Sequence, residues 1–141
     1  MRKIFISHNF LLIIFVLFFT ITSCVDKERK ALELKIDGIN LIYKSRFDDA
    51  LETLNKSLKY NDKDPETYFY IGAAYFNKND VNKAFDYYSK TIEVDSTFGQ
   101  AYVNRGRIFK NRQQHDKACE DWLKAEECGI RTIGEETKFC K

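Results

Sequence analysis

The stretch Pro65-Glu-Thr-Tyr68-Phe-Tyr-Ile71-Gly72-Ala-Ala-Tyr75-Phe-Asn-Lys-Asn79-Asp80-Val81-Asn-Lys-Ala84-Phe-Asp-Tyr-Tyr88-Ser-Lys-Thr91-Ile-Glu-Val-Asp-Ser-Thr-Phe98 decides the fold. Tyr68, Ile71, Gly72 and Tyr75 form one set at the three-four spacing of a helix face. Val81, Ala84, Tyr88 and Thr91 form a second set at the same spacing. Asn79-Asp80 interrupts the chain between them. The pattern predicts two short helices joined by a tight turn.

The unit recurs on both sides. Gly38, Gly72 and Gly106 lie 34 residues apart, as do Ala50, Ala84 and Ala118. Leu34, Tyr68 and Tyr102 keep that step, as do Leu41, Tyr75 and Phe109, and Leu54, Tyr88 and Trp122. Small residues suit the point where two helices of a pair cross, because a longer side chain would push the axes apart. The large residues then fill the space around the crossing.

A helix–turn–helix period of 34 with a large residue, a glycine, an aromatic and then an alanine resembles the tetratricopeptide repeat (TPR). The resemblance runs from Ala31 to about Ile130 and is strongest in the second copy. Leu34, Asp37 and Arg105 depart from the family habit, which favours an aromatic at the first place and Leu at the other two. It implies an all-α, right-handed helix–turn–helix solenoid of three repeats, 31–64, 65–98 and 99–130, with residues 131–141 as a short C-terminal cap helix. Helices are expected over Ala31–Tyr43, Phe47–Tyr60, Phe98–Asn111 and His115–Glu127 in the outer copies. Asp64-Pro65 reads as an N-cap followed by proline at the first helical position. Asp80 reads as a second N-cap, and Gly129 as a left-handed helix end.

In such solenoids the first helices of successive repeats line a concave groove. The resemblance places Lys35, Ile39, Ile42 and Tyr43 there in the first copy, Phe69, Tyr70, Ala73, Phe76 and Asn77 in the second, and Val103, Asn104, Arg107, Lys110 and Asn111 in the third. That mixture of apolar, cationic and amide side chains suits an extended peptide or a partner helix with an apolar stripe and some acidic character. Self-association through the first repeat is one alternative, since Leu32, Ile36, Ile39 and Ile42 exceed what its core needs, and a pilot or assembly lipoprotein for an outer-membrane complex is another. The carboxylate clamp of chaperone-docking repeats is not written here. Lys35 fits its first position, but Ile39, Tyr70, Gln100 and Asn104 stand at the others.

The N-terminus carries a different message. Arg2 and Lys3 precede an apolar run from Phe10 to Phe19 and the small-residue segment Thr20-Ile21-Thr22-Ser23-Cys24. This is the layout of a signal peptide over residues 1–23, and the run is shorter than the ~20 residues of a spanning helix. Ile21-Thr22-Ser23-Cys24 resembles the bacterial lipobox, which implies cleavage before Cys24 and lipid on its sulfur. An uncleaved anchor is the alternative. Residues 24–30 would form a short tether; Val25 supplies no inner-membrane retention signal of the Asp type, and the lipobox resemblance then implies the outer membrane of a bacterial envelope as the expected address. Arg2 and Lys3 belong to the 23 basic residues; the remainder equal the 21 acidic ones, all of which follow position 25. A neutral body offers no field for nucleic acid.

Cys119, Cys128 and Cys140 follow. Cys119 and Cys128, nine apart on one expected helix, stand about 13 Å apart along its axis and cannot bond to each other. Thr132-Ile-Gly-Glu135 resembles a capping box, which would turn a last helix back along its predecessor and bring Cys140 to Cys119. The expected disulfide is Cys119–Cys140, with Cys128 free and buried. Ala118-Cys-Glu-Asp-Trp122-Leu-Lys-Ala125 with a late cysteine also resembles the C-terminal repeats of lipoproteins in the Bacteroidetes group. No metal site is expected, because His115 is the only histidine after the leader and the cysteine spacing fits no zinc pattern. No cofactor is expected either. Phosphate-loop, nucleophile-elbow and His-Glu-x-x-His motifs are missing. His115 and Cys119 share a helix face without a third orienting group. No catalytic residue is assigned, and the function expected is binding.

Overall fold

In this computed structural model the backbone is described for residues 8–131, 134–138 and 140, and the side chains for residues 25–131, 134, 136–138 and 140. Among the described residues seven helices run in order: α1 His8–Tyr43, α2 Phe47–Leu58, α3 Pro65–Asn77, α4 Val81–Val94, α5 Gly99–Asn111, α6 His115–Glu127 and α7 Gly134–Thr137. No strand occurs among the described residues. The pairs α1/α2, α3/α4 and α5/α6 form the repeats, and α2 against α3 and α4 against α5 join them.

The glycine column explains the pairing. A Cβ on Gly38 would lie 2.5 Å from Leu54, one on Gly72 2.8 Å from Tyr88, and one on Gly106 2.6 Å from Trp122. Each first helix therefore closes onto the large residue of its partner without an intervening side chain. Ala50, Ala84 and Ala118 are fully buried. The core is a chain of clusters, as expected where each repeat contacts only its neighbours. Leu51, Leu54, Ile71 and Ala74 join the first repeat to the second. Ala84, Tyr88 and Ile108 join the second to the third. Tyr102, Val103, Ala118, Trp122 and Ala125 fill the third, with Ile130 and Cys140 packed against them.

The turns inside the repeats follow one scheme. Ser45, Asn79 and Gln113 hold φ of 57°, 64° and 60°. The next residue's N–H reaches back five places in each case: Arg46 to Leu41 O, Asp80 to Tyr75 O and Gln114 to Phe109 O, all at 2.9 Å. These are Schellman closures built without glycine. Gly129, at φ 88°, closes α6 in the same way. Asp64 accepts from the Glu66 N–H and Asp80 from the Lys83 N–H, so both are N-caps.

Two features differ from the sequence expectation. The segment 25–30, expected as a tether, is helical, and α1 runs without a break through it. No proline or glycine stands between His8 and Asp37 to stop the helix. Asp26–Arg29 and Lys30–Glu33 pairs also decorate its surface one turn apart. The final helix is a single turn, Gly134–Thr137, rather than a helix across residues 131–141. The capping box on Thr132 and Glu135 lies outside the described residues.

Candidate functional site

The α3–α5 face carries a cavity of about 290 Å³ lined by Ala73, Phe76, Asn77, Tyr88, Asn104 and Arg107. Five of these come from the first helices of the second and third repeats, one or one-and-a-bit turns apart on each. Phe76 is 41% exposed and supplies the apolar wall. The Asn77 amide donates to Ala73 O at 2.8 Å, which folds it along its own helix. Arg107 stands at the rim with 54% of its side chain exposed.

Tyr88 is the lining residue that the repeat pattern alone assigns to the core. It is almost fully buried at the Gly72 crossing, yet its polar end reaches the cavity. Burial pushes its phenol up to about 12, against the pull of a hydrogen bond from Asn104 and the nearby charge of Arg107. The hydroxyl therefore stays neutral. The signal available in the sequence was chemical: a buried tyrosine needs a partner for its O–H.

The other expected groove residues lie elsewhere. Val103 is 4% exposed and belongs to the Tyr102–Trp122 cluster, so its assignment to the groove is corrected. Phe69 is half-buried and packs on Tyr70, Tyr88 and Phe98, with ring centroids 5.2–5.7 Å apart. It lines the junction between repeats rather than the cavity. Ile42 packs against the Leu51–Ile71 cluster, and Tyr70 joins the same cluster. Burial, then Glu66 and Tyr43, raise the Tyr70 phenol. Ile39 is half-buried, while Tyr43 is 80% exposed. Lys110 and Asn111 are exposed, and the Lys110 ammonium lies 5.7 Å from the centre of the Trp122 ring.

Lys35 is already occupied. Its ammonium sits 3.0 Å from Asp64 and 2.6 Å from Glu66. Burial works to lower its pKa, but the hydrogen bonds and charges of Glu66 and Asp64 outweigh that and hold it above the ordinary value. The one position that fits the chaperone clamp thus ties the first repeat to the second.

Beyond the cavity, Cys119 and Cys140 are joined by a disulfide with Sγ atoms 2.07 Å apart. Cys128 is free but half-buried rather than buried, its thiol 3.8 Å from the Ser96 carbonyl oxygen. Thr137 donates its hydroxyl to Glu126 at 2.7 Å, and Glu136 lies 3.9 Å from Arg107. The Cys24 side chain lies outside the described residues.

A family model for the tetratricopeptide repeat matches residues 66–95, the second helix pair. No curated protein matches the sequence. Among solved structures, the first TPR of Spaghetti (RPAP3) bound to an HSP90 peptide is 20% identical over 80% of this chain and 91% of that one, with a TM-score of 0.72. The Arabidopsis OM64 TPR domain is 17% identical, covering 81% and 96%, with a TM-score of 0.73. The TPR2B domain of yeast Sti1 in its Hsp70 complex is 21% identical, covering 79% and 93%, with a TM-score of 0.70. The class is therefore an all-α helical repeat of the tetratricopeptide fold, a fold whose solved neighbours include domains holding peptides of other proteins.

Proposed function

We propose that this protein is a membrane-anchored interaction adaptor that holds a segment of another protein in the groove between α3 and α5. The observation that carries the reading is the cavity itself, which brings the apolar Ala73 and Phe76 together with the polar Asn77, Tyr88, Asn104 and Arg107. Such a site binds and orients a chain; it presents no nucleophile–base pair for catalysis. The anchor is read from the leader and from Cys24 at its end, which support lipid on the sulfur and a position of the repeats close to the outer membrane of a bacterial envelope. An escort role for an outer-membrane assembly falls within this reading.

A second reading has its own observation. Leu32, Ile36 and Tyr43 are exposed large apolar side chains on α1, the first helix of the first repeat. That face suits a self-associating structural subunit, with a homodimer as its simplest form.

A photo-crosslinking amino acid in place of Phe76, in the native membrane, separates the two. One recurrent foreign protein is the expected product. Adducts only between copies of this chain would favour self-association. No adduct from a folded, membrane-bound protein would remove the groove as the working surface. Loss of incorporated fatty acid in Cys24→Ser checks the anchor independently.

A further inference from the structure

The acid that meets Arg107 belongs to the chain's own C-terminal segment. Glu136 stands on α7, its carboxylate 3.9 Å from the Arg107 guanidinium and a quarter exposed. The segment is held to α6 at two points, Cys140 and Thr137. Cys140 is bonded to Cys119 on α6. Cys140 Sγ also touches the Glu136 carbonyl oxygen at 3.5 Å. Thr137 donates to Glu126 of α6. At 3.9 Å the ion pair is loose and lacks a charge-assisted hydrogen bond. The guanidinium can therefore accept a better-placed carboxylate. Beside it lies a cavity of about 290 Å³, the size for one large side chain rather than a whole small molecule.

We propose that Arg107 and this cavity form a subsite for a peptide segment bearing a carboxylate next to an aromatic or large apolar side chain, and that Glu136, held in place by the Cys119–Cys140 disulfide, is its competitor within the chain. The proposal rests on the groove reading above and names the chemistry of the groove's ligand. The disulfide makes the competition sensitive to reduction. A dithiol attacks the bond, passes through a mixed disulfide and closes to its own disulfide. Cys119 and Cys140 gain the two electrons and two protons and become thiols. The segment bearing Glu136 then loses its covalent tie, and Arg107 is uncovered more often.

The test uses the full chain in detergent micelles and N-acetyl-Phe-Asp-amide as the probe, followed by NMR through the side-chain amides of Asn77 and Asn104. Saturable shifts of both amides are expected. Glu136→Gln should tighten probe binding about two- to five-fold, the range of an exposed ion pair, and dithiothreitol should act in the same direction. Arg107→Gln should weaken it about tenfold. Circular dichroism melts control for folding in both variants. Unshifted amides, or equal affinity in Arg107→Gln, would overturn the subsite. Equal affinity in Glu136→Gln would overturn the competition. If these fail while crosslinking from position 76 still captures a partner, the groove reading stands and this one falls; if both fail, both fall.

Discussion

The first and third repeats use the same architecture and handle their outer faces in opposite ways. Residues 37, 71 and 105 occupy one column of the repeat, on the side facing the preceding helix pair. Ile71 fills it with a fully buried side chain against Leu51 and Leu54 of α2. Asp37, at the same place in the first repeat, is exposed. In the third repeat Arg105 reaches Ser89 of α4 and makes two bonds to Asp121, at 2.8 and 2.7 Å, with Tyr102 and Phe109 rings near its guanidinium. The column 51, 85 and 119 shows the converse. Leu51 and Phe85 pack towards the following repeat, Phe85 on Phe109 at 5.2 Å. Cys119, at the same place in the third repeat, is bonded to Cys140 of the C-terminal segment. A residue's neighbours in the stack, more than its place in the repeat, decide what chemistry it can carry.

The column comparison can be broken most forcefully at Asp121. Asp121→Ala would leave the Arg105 guanidinium, on a side chain only 20% exposed, without its counter-charge. The expected loss is about 3 kcal/mol or more, read as a lowered denaturation midpoint with lost amide protection across α4–α6. An unchanged midpoint would mean that water already solvates Arg105.

A smaller effect sharpens the comparison of turns. Asn79 tolerates the left-handed region well, but Gln113 holds φ of 60° with an ordinary side chain. Gln113→Gly should stabilise the third repeat by about 1 kcal/mol, while Asn79→Gly should change little. Equal gains at both positions, or a loss at 113, would contradict the strain assigned to that turn.

The smallest effect belongs to Asp37. Asp37→Ala should move stability by no more than about 0.5 kcal/mol, as for a surface change. A loss comparable to that of Asp121→Ala would show that something covers the α1 face in solution.

The repeat pattern made most of the fold legible. The columns Gly38/72/106 and Leu54, Tyr88 and Trp122 name the pairs that meet at each crossing, because a helix contact with a fixed period leaves a fixed spacing of small and large residues. Asp64, Asp80 and Gly129 signalled helix ends through chemistry local to a few residues. The left-handed turns at Ser45 and Gln113 were invisible, since neither residue prefers that conformation. They are imposed by the two helices they join. The lining of the cavity was legible only in part. Ala73, Phe76, Asn77, Asn104 and Arg107 do meet around one cavity. Val103 and Phe69 share their periodicity but face other elements, which helix phase alone could not tell.

By itself, then, the sequence determined the repeating unit, its three copies, the crossings and several helix ends, because each depends on contacts within one repeat period. Only the tertiary structure decided which groove positions stay open, that Lys35 is taken by Asp64 and Glu66, that Tyr88 lends its hydroxyl to the cavity, and that the C-terminal turn brings Glu136 to Arg107. Those features depend on how one repeat's surface is covered by the next element in the stack, and a period of 34 residues is the same whether or not that cover is present.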